Sequence, residues 1–221
     1  MMSLINALPG AVAQGLIWGI MAIGVYLTFR ILDIADLTVD GSLGTGGAVC
    51  IMLMLSGQNV WVAMAGATAA GMAAGLATGI LHTFMGIPAI LAGILTQLGL
   101  YSINLKTMGK ANQAINVDKY DLLVSLRFIR KVPFYKNTIL IVALAIILLI
   151  VVLYWFFGTE LGCSLRATGC NDKMARAQGI NTDFNRVLGL MISNGLVALS
   201  GAMLCQYQGF ADINMGRGAI V

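Results

Sequence analysis

The chain has 221 residues, of which 59% are hydrophobic and only 10% charged, with a formal net charge of +4. Soluble domains carry about 25% charge and 45–50% apolar residues, so this composition excludes a soluble globular enzyme and a disordered chain alike. Residues 41–105 contain no Asp, Glu, Lys or Arg. One bilayer crossing uses roughly 20 residues, so this stretch must traverse a membrane repeatedly.

Residues 9–29 form the first apolar run and end at Arg30, a suitable interfacial anchor. The run is too long for a signal-peptide core and reads as a retained span. Asp33, Asp36 and Asp40 follow closely. The next run, residues 41–56, holds Gly41, Gly44, Gly46 and Gly47. Being short and glycine-interrupted, it predicts a broken helix, which membrane proteins tolerate only where it is buried in protein or lines a cavity. Residues 60–84 make a third span rich in Ala and Gly, suited to close helix contact. His82, close to the end of that span, is expected at the turn between the third and fourth spans. After the break at Pro88, a fourth span runs to about residue 105. Residues 106–136 are polar, with seven basic and two acidic side chains; within them, 120–129 is an apolar stretch short enough to lie flat at the interface. Residues 138–157 and 187–206 are the fifth and sixth spans, separated by a polar loop at 158–186. The predicted fold is an all-α, polytopic transmembrane bundle of about six spans in one domain covering residues 1–221. The four cysteines form no C-x-x-C pair and there is one histidine, so no metal site is expected. The basic residues lie in loops, which favours lipid headgroups or proteins over nucleic acid as partners.

Within 158–186, Asn171 or Asp172 can cap a short helix that Gly179 ends. The segment reads L-G-x-x-x-R-A-x-G-x-N-x-x-x-A-x-x-x-G-I-N from Leu161 to Asn181, and Ser193-Asn194-Gly195-Leu196-Val197-Ala198 follows. It resembles the cytoplasmic coupling loop of ABC importer permeases of the branched-chain amino acid and ribose type. Gly24-Val25-Tyr26-Leu27-Thr28-Phe29-Arg30, Ala35-Asp36-Leu37-Thr38-Val39-Asp40-Gly41-Ser42 and Leu91-Ala92-Gly93-Ile94-Leu95-Thr96 are similar to one subgroup associated with tryptophan or tyrosine uptake. The resemblance covers essentially the whole chain. It implies a multi-pass permease of a prokaryotic plasma or inner membrane, working with ABC ATPase subunits, an extracytoplasmic substrate-binding protein and a second permease copy. It carries no Walker A motif, so ATP and Mg belong to the partner ATPase and this chain is not itself an enzyme. Family members usually continue beyond the position of Gln206, so the resemblance implies that further spans complete the path.

Carried over by position, Arg166, Ala167, Gly169, Asn171, Asp172, Lys173, Ala175, Arg176 and Gly179 shape and present the helix that docks on the ATPase. If that loop is cytoplasmic, residues 106–136 and 211–221 lie outside. Five basic residues then lie inside and eight outside, against the positive-inside rule. Arg127, Arg130, Lys131 and Lys136 either meet carboxylates of the binding protein or anchor to headgroups. Asp36 and Asp40, close to the cytoplasmic mouth of the second span, either cap its start, with Asp40 a good N-cap ahead of Gly41 and Ser42, or Asp40 sits with Ser42 and Thr45 at a gate in the translocation path. Gln97 and Asn194 either complete that path or act as interhelical glue. An ATP-independent channel or facilitator is the competing function; it would have no use for the loop motif.

Overall fold

The computed structural model describes residues 2–115, 122–124 and 138–219. Six long apolar helices account for the spans. They are α1 (Met2–Tyr26), α2 (Thr38–Leu55), α3 (Val60–Thr83), α4 (Ala89–Met108), α5 (Thr138–Gly158) and α8 (Thr182–Gln208). Two short helices, α6 (Glu160–Cys170) and α7 (Asp172–Ala177), fill the loop before α8. Each of these six long helices is apolar and long enough to cross a membrane.

α8 is the axis of the bundle. Its buried positions include Leu190, Ser193, Asn194, Val197, Ala198, Gly201 and Leu204, and α1, α2 and α3 close around it. Lipid offers no hydrophobic drive for helices to associate, so close packing and interhelical hydrogen bonds must hold them. Both are present. Ser193 Oγ donates to the Gly24 carbonyl at 2.7 Å, Ser200 Oγ to Ile17 at 2.8 Å and Tyr207 Oη to Gly10 at 2.8 Å. Donors and acceptors each recur every seventh residue, so one stripe of α8 stitches antiparallel to one stripe of α1, as a heptad repeat requires. The α2–α8 seam is tighter still. A Cβ on Gly46 would strike the Ala198 carbonyl oxygen, and one on Gly201 would strike that of Leu43.

α2 departs from the sequence expectation. It is one uninterrupted helix from Thr38 to Leu55, and its glycines serve close approach, not a break. The irregular backbone lies on either side of it. Before it, residues Leu27–Ile31 form a π-helical turn and the chain then runs without regular structure to Leu37. Asp33 there adopts φ 56°, a left-handed conformation that Asp tolerates better than most residues. The second irregular segment follows α8. β1 (Asn112–Ala114) pairs antiparallel with β2 (Phe210–Asp212), with Asn112 opposite Asp212. Residues 213–219 then turn back into the bundle instead of remaining beyond the last span, as the sequence had placed them. Gly216 packs against the Asp40 carbonyl, and the Ile213 carbonyl lies beside Gly44.

The connections alternate between two ends. α6, α7 and the turns before α2 and α4 share the end where α8 begins; the β1–β2 ribbon marks the other. Leu122 and Val124 are buried, and the Leu123 N–H donates to Gln206 Oε1 at 3.3 Å. Leu122 and Val124 therefore pack into the bundle at the ribbon end, while the rest of 120–129 lies outside the described residues. Lys119, Arg127, Arg130, Lys131 and Lys136 fall outside the described residues. α5 is peripheral, with Ile147, Val151, Tyr154 and Trp155 exposed on its outer face, the surface expected to meet acyl chains and, at the two aromatics, an interface.

Candidate functional site

Of the two aspartates expected to cap the start of α2, the structure uses Asp36 and not Asp40, the N-cap the sequence favoured. Asp36 Oδ1 accepts the Thr38 N–H at 2.9 Å, and Asp36 Oδ2 accepts from Asn194 Nδ2 at 2.7 Å. Asp40 sits within the first turn of α2 and caps nothing. Asp36 precedes the helix by two residues, the spacing at which an Asp side chain reaches a backbone N–H in an Asx turn. That local pattern was the signal available in the sequence.

Asn194 joins the two helices. Its Oδ1 accepts from Ser42 Oγ at 2.5 Å, and its Nδ2 also donates to the Leu190 carbonyl at 3.0 Å. Ser42 and Asn194 are both fully buried. Thr38 and Thr78 hydroxyls meet at 2.7 Å, and Thr78 donates to Thr96 at 2.9 Å, extending the polar layer across α3 and α4. Asn194 stands 12 residues into α8, about 18 Å from its first residue at 1.5 Å per residue. The layer is midway along α8, but it meets α2 in its first turns and α3 five residues before its end, so it lies toward the end of the bundle where α2 begins, as the sequence suggested. Thr45 does not join it; its hydroxyl donates to the Gly41 carbonyl at 2.9 Å.

Next to this layer, a cavity of about 250 Å³ opens between α2, α4 and the returning segment, lined by Asp40, Gln97, Tyr101, Asn104, Ile213 and Arg217 among others. Asp40 Oδ2 accepts the Gly218 N–H at 3.3 Å, while Oδ1 is buried with no hydrogen-bond partner among the described residues. The Arg217 guanidinium lies 5.6 Å over the Tyr101 ring, a cation–π distance. Of the five path residues read from sequence, Ser42 and Asn194 bond each other and Asp40 and Gln97 share the cavity. Tyr101, Asn104 and Arg217 were not singled out, because the returning segment that brings Arg217 back cannot be inferred from local pattern.

At the other functional end, α7 is capped as the sequence implied. Asn171 Oδ1 accepts the Met174 N–H at 3.1 Å, and Gly179 ends the turn at φ 83°. Within the polar loop read from the sequence, residues Glu160–Cys170 also form a helix, α6, opened by Thr159. α6 presses inward through Leu165, which is 1% exposed, and a Cβ on Gly169 would strike the Ile31 carbonyl. Asn185 Nδ2 ties α8 to Thr168 of α6 at 2.9 Å.

Arg176 is committed within the chain. It reaches Asp183 at 2.8 Å, Asp172 at 3.6 Å and the Thr182 hydroxyl at 2.7 Å, and Arg186 reaches Asp172 at 3.4 Å. These four charges clamp α7 to the first turn of α8. Arg166 donates to the Phe157 carbonyl at 3.1 Å. Ala175 is buried beneath α7, and Ala167 is half-buried. Lys173 and Met174 project outward, leaving a short, rigidly held helix with one free face.

A family model described as branched-chain amino acid transport system / permease component matches residues 8–221. The chain belongs to this permease family. The permease is 39% identical over 219 residues to the tyrosine transport system permease protein of Clostridioides difficile (strain R20291), covering 98% of this chain and 70% of that one. Uncharacterized protein RP368 of Rickettsia prowazekii (strain Madrid E) is 37% identical over 215 residues, 96% of this permease and 72% of its own length. The autoinducer 2 import system permease protein LsrC of Yersinia pestis (strain Pestoides F) is 31% identical over 202 residues, which make up 90% of this chain and 54% of LsrC. No solved structure matches the permease.

Proposed function

We infer that this multi-pass permease is the membrane-spanning subunit of an ABC importer for an amino acid, in the inner membrane of a prokaryote. The observation that carries the reading is α7. Its buried side and its four-charge clamp fix it to α8, and Lys173 and Met174 stand free on the other side. A helix held this firmly at one end of the bundle is suited to seat in a groove of an ATPase subunit. ATP and Mg would then be held by that subunit. The opposite end would receive an extracytoplasmic binding protein, and a second permease copy would complete the pathway. The amino-acid substrate follows from the family description and from the relative named for tyrosine transport.

The test is co-purification and transport. The permease, expressed with a candidate ABC ATPase subunit from the same organism, should retain that subunit through purification. Cysteines placed at Lys173 should crosslink to it. Proteoliposomes holding both, with the binding protein supplied, should take up labelled L-tyrosine only when ATP is present. ATP-independent uptake by the permease alone would instead establish a channel or facilitator.

A further inference from the structure

The cavity beside the first turn of α2 has opposite charges on its walls. Asp40 is half-buried, but its Oδ1 atom is shielded from solvent and has no hydrogen-bond partner among the described residues, which is costly for a carboxylate. Arg217 stands on the returning segment, stacked over Tyr101, and forms no ion pair with Asp40 within 4.0 Å. Charges of opposite sign that share a cavity without neutralising each other leave room for a ligand bearing both. Leu98, Tyr101 and Ile213 supply apolar wall between the charges, and the amides of Gln97 and Asn104 supply neutral hydrogen-bonding groups. The volume of about 250 Å³ falls below that of cavities for drug-sized ligands, about 300–1,000 Å³, and suits a single amino acid. The site also lies where two irregular segments, 32–37 and 213–219, approach the same turn. Unwound backbone at membrane depth is tolerated where it lines a cavity and is a common place for substrate binding in transporters.

We propose that this cavity is a zwitterion clamp within the translocation path: Asp40 receives the α-ammonium of a free amino acid, Arg217 its α-carboxylate, and Tyr101 borders the side chain. The ammonium supplies the donor that Asp40 Oδ1 lacks, and the guanidinium offers the planar fork that matches a carboxylate. This assignment rests on the amino-acid reading of the transport function and goes beyond it by naming where, and by which groups, the substrate is held inside the membrane.

The experiment uses the full-length permease in lipid nanodiscs and three probes: L-tyrosine, N-acetyl-L-tyrosine, which lacks the ammonium, and L-tyrosinamide, which lacks the carboxylate. The parent should bind L-tyrosine and discriminate against both derivatives. Asp40→Asn should weaken L-tyrosine roughly 10- to 100-fold and lose discrimination against the N-acetyl compound alone. Arg217→Gln should weaken L-tyrosine similarly and lose discrimination against the amide alone, with Arg217→Lys restoring most of it. If Asp40→Asn does not fold, the Arg217 pair decides by the same criterion. Should the parent bind L-tyrosine while both variants keep its discrimination, the clamp is wrong and the amino-acid reading stands. Should the parent bind none of the twenty common amino acids, both fall together.

Discussion

Asn194 accepts a hydrogen bond from Ser42 at 2.5 Å and donates one to Asp36 at 2.7 Å. One buried amide thus fixes the register of α2 on α8 and orients the carboxylate that caps α2.

Removing that amide should be expensive. Asn194→Ala leaves Asp36 Oδ2 without its side-chain donor and Ser42 without its acceptor, so a loss of about 2–4 kcal/mol is expected. Ser42→Ala removes a single neutral donor and should cost about 1 kcal/mol. Thermal unfolding in detergent should rank the two in that order; equal midpoints would mean that the Asp36 contact contributes nothing.

The two aspartates should separate by the same measurement. Asp36→Ala uncaps α2 and should cost about 1 kcal/mol or more, while Asp36→Asn can still accept the Thr38 N–H. Asp40→Asn should leave the midpoint near the parent, since no cap depends on it. A large drop for Asp40→Asn with none for Asp36→Ala would reverse the assignment.

Gly46→Ala should fail where Gly15→Ala succeeds. The first drives a Cβ into the Ala198 carbonyl, whereas nothing lies within 4 Å of a Cβ at Gly15. Overpacking a seam made of backbone costs about 1–3 kcal/mol or more, to be read as lost folded yield and a lower midpoint. Gly15→Ala should match the parent.

At the α7 end, Arg176→Gln should loosen α7 and lower stability modestly, because its partners are partly solvent-screened, with side-chain exposures of 52% for Arg176 and 48% for Asp183. Lys173→Glu should leave stability unchanged and reduce substrate-stimulated ATP hydrolysis of the assembled importer. If Arg176→Gln impairs coupling while Lys173→Glu does not, docking depends on the clamp and not on the exposed face.

The positive-inside conflict has a direct test. Cys170 is exposed beside α7, and Cys50 and Cys205 are buried. In a Cys163→Ser background, Cys170 should react with a membrane-impermeant maleimide only after the membrane is opened. With Cys170→Ser added, a cysteine replacing Lys110 near β1 should react in intact cells. The reverse pattern would invert the topology.

The spans were legible because charge is so sparse that each interruption of an apolar run marks an end. The α7 cap was legible because Asn171 and Gly179 act locally. What escaped the sequence depends on distant partners. Whether Asp36 or Asp40 caps α2 turns on where the helix starts, and that is set partly by Gly93, which lets α4 press on the backbone at Leu37 and Thr38. The β1–β2 pairing joins residues about a hundred positions apart, and the return of 213–219 follows from it. The glycines of α2 suggested a break because sequence alone cannot distinguish a flexible glycine from one that admits a neighbouring helix. The seven-residue spacing of Ser193, Ser200 and Tyr207 was visible, but its acceptors are backbone carbonyls, which leave no mark in a sequence.

α8 carries Asp183 and Arg186 in its opening turns and Asn194 at its middle without a break between them. It is therefore a lever. A tilt of about 10° pivoting at Thr182 would carry Asn194 sideways by about 3 Å over its roughly 18 Å arm. That displacement is as long as the hydrogen bonds that Asn194 makes to Ser42 and Asp36. A push far too small to unfold anything at the charged end is thus enough to unlatch α8 from the start of α2.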